Sequence, residues 1–223
     1  MLPKLRSIKI NTLSELSRRL GVELNVLQDV ANHIALHYRK FTKRIGKKDR
    51  MLYEADHSLG EIHKRIEGRL LDRFDFPPSI QGGIKGRSLL TNAQPHVKRT
   101  NVGHFDIKNF FPSVRPNRIY NVLCNLGCTP DVAHLLTRLV TADKHLPQGF
   151  RTSPKTAALI LLNADKRLRG FFKRYGVRHT IWVDDLTVSG AYPIHKLSSG
   201  VRKILQQEGF EVHKEEIAYS NER

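Results

Sequence analysis

Three acids sit in strand-like contexts in a chain that is otherwise strongly basic. Asp106 lies in Val102-Gly103-His104-Phe105-Asp106-Ile107-Lys108-Asn109-Phe110-Phe111-Pro112, an apolar strand that carries one acid near its end. Asp184 and Asp185 lie in His179-Thr180-Ile181-Trp182-Val183-Asp184-Asp185-Leu186-Thr187-Val188-Ser189-Gly190. Here β-prone residues flank both acids, and the pattern predicts a hairpin with Asp184-Asp185 at its tip. A surface turn or a strand-terminal cap would account for either segment taken alone. Gathered together, three carboxylates repel one another and are costly without a cation. Mg²⁺ suits such oxygen donors, because it uses one or two carboxylates together with substrate phosphates. Two such ions about 3.5–4 Å apart activate a hydroxyl and stabilise a leaving pyrophosphate, the chemistry of nucleotidyl transfer.

Composition supports a polyanionic partner. The 223 residues hold 38 Lys and Arg against 21 Asp and Glu, a net charge of +17. Nucleic acid is the first candidate for that excess and an anionic membrane surface the second. Hydrophobic residues make up 39%, enough for the core of one domain or of two small associated lobes. No run reaches the roughly 18 apolar residues of a membrane span, and no apolar signal core follows Met1-Leu2-Pro3-Lys4-Leu5-Arg6. A soluble, cytoplasmic protein without a membrane partner is expected. Cys124 and Cys128, with His134 nearby, read as reduced thiols, since neither export nor a four-ligand zinc spacing is present.

The elements that must position the acids follow from periodicity and caps. Thr12 and Glu15 fit a capping box opening a helix that Gly21 ends. A second helical pattern runs from Val22 to Tyr38. A basic loop with Lys43, Arg44, Lys47 and Lys48 then spans Lys40 to Arg50. Ser58 to Phe74 reads as helix, broken by Phe76-Pro77-Pro78. A glycine-rich basic loop runs from Gln81 to Ser88, and a helix from Leu89 to Lys98 is shortened or kinked by Pro95. A strand at Val102–Ile107 and a helix at Pro116–Leu126 follow. Ser153 is placed to cap a helix with Pro154 at its first position. Two strands lie within Arg178–Ser189, a helix within Ile194–Glu208 and a last strand near Phe210–His213. Helices and strands mix without regular βαβ alternation, which predicts an α+β fold.

Asp106 in Phe105-Asp106-Ile107-Lys108-Asn109-Phe110-Phe111-Pro112-Ser113-Val114 comes first. Leu146-Pro147-Gln148-Gly149-Phe150-Arg151-Thr152-Ser153-Pro154 follows, and then Trp182-Val183-Asp184-Asp185. In that order and spacing they resemble the motifs of reverse transcriptases. Asn92-Ala93-Gln94-Pro95-His96 is similar to the N-A-x-x-H signature of retron reverse transcriptases, and Gly86-Arg87-Ser88 resembles the same group. The resemblance covers about Arg50 to Lys214. It implies a right-hand polymerase with fingers and a palm built on a small antiparallel sheet. The fingers and an N-terminal helical region would occupy residues 1–100, and the palm 101–223, with part of the fingers interleaved.

The resemblance also implies roles. Asp106, Asp184 and Asp185, with Ile107, would hold two Mg²⁺ ions. Phe111 would be the aromatic gate against a ribose 2′-OH. Gln148 and Gly149 would line the nucleotide and template pocket, Lys214 would sit near the leaving pyrophosphate, and Lys48 and Arg50 would contact the triphosphate. Arg87, Asn92 and His96 would serve RNA binding. A buried, hydrogen-bonded pair is the competing reading for Asn92 and His96. The implied activity is RNA-directed DNA synthesis on a structured non-coding RNA that serves as template and primer, with a part in anti-phage defence. The chain departs from the pattern at Trp182, where tyrosine is usual, and at Phe150-Arg151. It also ends without the family's V-T-G signature and helical thumb, so a second protein chain supplying a thumb or effector is an expected partner. Two other readings are a non-catalytic RNA-binding scaffold that works with such a partner, and a defence reverse transcriptase without a retron RNA.

Overall fold

The computed structural model describes residues 8–46 and 48–219. In chain order its elements are α1 (Leu13–Leu20), α2 (Leu24–Asn32), β1 (Tyr38–Ile45), β2 (Lys48–Ala55), α3 (His57–Arg69), α4 (Leu89–Ala93) and β3 (Asn101–Ile107). They continue with α5 (Phe110–Ser113), α6 (Pro116–Asn125), α7 (Pro130–Val140), α8 (Ser153–Lys173), β4 (Arg178–Trp182), β5 (Asp185–Gly190), α9 (Ser198–Gln207) and β6 (Val212–Tyr219). The chain divides into two units, residues 1–75 with 111–160, and residues 76–110 with 161–223. The mixture is α+β, as expected.

The first unit is mainly helical. Thr12 caps α1 by accepting the Glu15 N–H at 3.1 Å, and Gly21 closes it in the left-handed region at φ 60°. The Glu15 carboxylate accepts from Asn11 N–H, one residue before the reciprocal partner a capping box requires. The second helical pattern stops at Asn32, well short of Tyr38. The basic stretch is an antiparallel ribbon of β1 and β2, not a loop. Nearly every residue of β1 is exposed, so no apolar alternation announces the strand. Lys47 lies outside the described residues. Helix α7 was not expected, although Thr129-Pro130 carries a helix-start signal; its buried face includes Leu135, Leu136 and Leu139. Ser153 does not cap α8. Its hydroxyl donates to the Pro147 carbonyl at 2.6 Å, while Thr156 N–H bonds the Thr152 carbonyl.

The second unit is a four-stranded antiparallel sheet in the order β4-β5-β3-β6, with the later turns of α8 against one face. Fully buried Asp165 of α8 accepts from His179 of β4, and the Phe172 ring lies 5.2 Å from that imidazole. Gly103 passes close under Ile194, where a Cβ would come within 2.7 Å of the Ile194 Cγ2. As Pro95 predicts, α4 ends at Ala93 and gives way to a 3₁₀ turn at Gln94–His96. The last strand begins at Val212 and runs on to Tyr219, longer than its short apolar start suggests. Cys124 and Cys128 are both free thiols, and burial pushes Cys128 up to about 11. Among the described residues no helix is long and apolar enough to cross a membrane.

His63 in the first unit and His96 in the second are buried and neutral. His63 of α3 bonds the Leu139 carbonyl through Nε2 at 2.8 Å, and burial lowers its pKa to about 4. His96 is likewise lowered to about 4, by burial and by the charges of His104, His179, Arg99 and Arg178. An unfolded histidine titrates near 6.5, so between pH 6.5 and 4 the unfolded chain binds protons that these two sites refuse. Stability therefore falls as pH drops through that window, by on the order of 1–3 kcal/mol per histidine. Thermal midpoints measured from pH 7 to pH 4.5 check this. The slope should flatten in His96→Gln, and an equal slope in that variant would exclude His96 as a source.

Candidate active site

Antiparallel partners carry their side chains on one face of a sheet. The registers of the second unit therefore place Trp182, Asp185, Asp106 and Lys214 in one row, strand by strand. The next row holds Thr180, Thr187, His104 and Glu216. Two expected metal-binding acids are thus neighbours on adjacent central strands, with the expected lysine beside them. β3 and β6 slip register between Asp106 and Ile107, a bulge that re-aims the strand at the point where the acid sits.

Asp184 stands one residue away, in the turn. Trp182 pairs with Asp185, so the two-residue tip is Val183-Asp184, and Asp185 opens β5. The expected tip, Asp184-Asp185, is corrected by one position. Val183 occupies φ 59°, a position that favours glycine and strains a β-branched residue. Surrounding contacts hold it there. The Asp184 carbonyl accepts the Ile107 N–H at 2.9 Å, and the N–H groups of Gln81 and Gly82 bond the Ile181 carbonyl at 2.8 and 3.2 Å. Ile181 N–H in turn bonds the Ser79 carbonyl at 2.7 Å.

Charge is balanced unevenly along the row. Burial pushes the Asp185 carboxyl above its ordinary range; the nearby charges of Asp106 and Glu216 add to this, and His104, 3.9 Å away, opposes it. Lys214 pairs with Glu216, whose hydrogen bond and charge raise the amine, with Asp106 contributing. Among the described residues no three His, Cys, Asp or Glu side chains converge into a ready-made metal cage. The donors present still suit Mg²⁺: half-buried Asp106 and Asp185 in register, Asp184 at the turn, and the Ile107 carbonyl, the one ligating atom that residue offers because its side chain is aliphatic. An open set of hard oxygen donors leaves positions for substrate phosphates.

Asn92 and His96 turn inward. His96 bonds Ser189 Oγ through Nδ1 at 2.7 Å and Thr180 Oγ1 through Nε2 at 2.8 Å, and so ties β4 to β5. Asn92 is not its partner: the Asn92 carbonyl accepts from Thr180 at 3.4 Å, and its Oδ1 is buried without a hydrogen bond. Arg87 is also an internal fastener. Its guanidinium donates to the carbonyls of Phe76, Pro77 and Ile80, and burial lowers its pKa.

The remaining candidates belong to the first unit; Phe110, the last residue of the second unit's first segment, packs on Phe210 at 5.4 Å and is buried. Its neighbour Phe111 is half-buried. Lys48 and Arg50 lie on one ribbon face, where Arg50 pairs with Lys43. Lys43 completes a cationic trio there that the sequence left among many basic residues. The Gln148 backbone carbonyl accepts the Tyr53 N–H at 2.9 Å. Gly149 adopts φ 121°, and a Cβ there would overlap the Tyr53 carbonyl oxygen. The close approach that Gly149 permits is therefore by β2. Asp143, which no motif singled out, fastens the same joint by accepting from Tyr38, Tyr53 and Lys40 at 2.8, 2.9 and 2.9 Å.

Comparison with known proteins gives the family of the chain. Residues 43–220 match the family model described as reverse transcriptase (RNA-dependent DNA polymerase). The retron Se72 reverse transcriptase of Salmonella heidelberg is 31% identical over 190 residues, which cover 84% of this chain and 50% of that protein. The retron Mx65 reverse transcriptase of Myxococcus xanthus is 33% identical over 230 residues, covering 92% and 54%. The retron Ec86 reverse transcriptase of Escherichia coli is 27% identical over 219 residues, covering 96% and 68%. The chain spans about half the length of the first two relatives. Carboxylates paired across β3 and β5, in a chain matched along most of its length, make it a member of the reverse transcriptase family, among relatives that are retron reverse transcriptases.

Proposed function

We propose that this chain provides the fingers and palm of a retron-type RNA-directed DNA polymerase, which copies a structured non-coding RNA into DNA in anti-phage defence. The observation that carries the reading is the row Asp185-Asp106-Lys214, with Asp184 in the adjoining turn. Asp106, Asp184, Asp185 and the Ile107 carbonyl would hold two Mg²⁺ ions. When bound, these ions supply activation of the primer hydroxyl and neutralisation of the leaving pyrophosphate.

The chain's own groups do the rest. Lys214 offers an ammonium beside Asp106 for the departing phosphates, and Glu216 is its ion-pair partner. Lys48 and Arg50 contact the triphosphate. Gln148 and Gly149 line the nucleotide pocket, and the Phe111 ring excludes a ribose 2′-OH. Arg87, Asn92 and His96 act on RNA binding indirectly, by holding the segment and hairpin they fasten.

Primer extension on an RNA template with dNTPs and Mg²⁺ tests the reading, beside the Asp184→Asn/Asp185→Asn double variant. Incorporation by the wild type, lost in the variant, is expected. No incorporation, together with tight salt-dependent RNA binding, would replace this reading with the scaffold one.

A further inference from the structure

Helix α8 has two faces in the second unit. Asp165, Leu168 and Phe172 are buried towards the sheet. Asn163, Lys166 and Gly170 recur at three- and four-residue steps on the opposite face, Arg174 follows in the turn just past the helix, and all four are exposed. That face walls a groove of about 490 Å³, with Phe171 half-buried in it and Ile204 of α9 across from it.

The groove's charge is uncompensated. Its lining residues include no acid, and nearby Glu208 is engaged by Arg167 at 2.6 Å and by Asn163 at 2.8 Å. Among the described residues Lys166 and Arg174 make no ion pair. Lys166 lies on the helix and Arg174 just past its end, a span of ~12 Å at helical rise, so they reach different phosphates of one strand. Between them Gly170 leaves the helix surface open, with nothing within 4 Å of where a Cβ would stand. A low wall flanked by two free cations admits a sugar–phosphate backbone and reads no base.

The groove also faces away from the acids. α8 packs on the sheet face that carries His179, whereas Trp182 and Asp185 belong to the other. We infer that this groove is a second nucleic-acid contact, binding the phosphate backbone of a structured RNA behind the sheet. The inference rests on the proposed reading for its choice of RNA. An RNA held there keeps its template segment at high effective concentration before the carboxylates.

The test uses the whole chain and a fluorescein-labelled RNA hairpin of about 20 base pairs, with anisotropy read across a KCl series. Lys166→Glu/Arg174→Glu should weaken binding at least about fivefold and make the slope of log K against log salt shallower by about one to two. Its thermal midpoint and its rate on a short primer–template too small to reach α8 should match the wild type. Should the charge reversals lower the midpoint, Lys166→Gln/Arg174→Gln takes their place, with a slope change of the same sign. Gly170→Cys carrying a photo-crosslinker should capture the hairpin. An unchanged slope and affinity overturn the inference, as does capture of anionic vesicles or acidic protein in preference to RNA. A wild type that incorporates nucleotides while the groove variant binds normally removes only the groove. A wild type that does not incorporate removes the polymerase reading, and the hairpin slope still decides the groove.

Discussion

Asp106→Asn lowers nucleotide incorporation by about three orders of magnitude and leaves the thermal midpoint unchanged or higher. The two halves of this expectation share one cause. Asp106 stands opposite Asp185 on the neighbouring strand, and its charge helps hold the Asp185 carboxyl above the ordinary range. Two like charges side by side cost stability, so an isosteric neutral amide relieves repulsion. The same change removes a charged oxygen donor from the set that would hold Mg²⁺, and one lost stabilising group at developing charge already costs 10²–10³ in rate. Asp185 should also ionise at lower pH in the variant. Single-turnover incorporation and a calorimetric scan are the measurements. Near-wild-type incorporation would remove Asp106 from the reacting groups. A lower midpoint would mean that Asp106 serves the fold, through a contact stronger than its repulsion with Asp185.

The sequence was most legible where one local signal decides the conformation. Thr12 and Gly21 bound α1, Pro95 shortens α4, and the acids fall on a strand and a hairpin as their neighbours predict. It was least legible where tertiary pairing overrides weak patterning. The ribbon β1-β2 shows only a run of basic residues, because both of its faces are largely exposed. The tip of the β4-β5 hairpin was misplaced by one residue because no sequence rule puts valine at a positive φ; the surrounding contacts impose it. His96 and Arg87 illustrate the same limit at the site. A histidine in a motif and an arginine in a glycine-rich loop look available to a ligand. Only the fold reveals that one is bonded to Ser189 and Thr180 and the other to three carbonyls.

Gly82→Ala is the second large effect, and it tests whether the hairpin is held from beneath. Gly82 is buried. A Cβ there would overlap the backbone nitrogen of Val183 and lie 2.7 Å from the Val183 Cγ2 and 3.0 Å from the Trp182 carbonyl carbon. Two of those three atoms are backbone, so no rotamer relieves the clash. The segment carrying Gly82 cannot easily retreat either. Arg87 clasps the carbonyls of Phe76, Pro77 and Ile80, and the Ser79 hydroxyl donates to buried Asp165. The turn must therefore move, and Asp184 and Asp185 move with it. A displacement near 1 Å costs a reacting site about 100-fold, so incorporation should fall by that factor. Overpacking should cost only about 1–3 kcal/mol of stability, so the chain stays folded. Trp182 is the only tryptophan, so its emission reports the shift directly. Gly68→Ala in α3 is the control: a Cβ there meets nothing within 4 Å, and both rate and emission should hold. Wild-type rate and unshifted Trp182 emission in Gly82→Ala would mean that the turn yields without carrying the aspartates. The strain at Val183 would then be incidental to the chemistry.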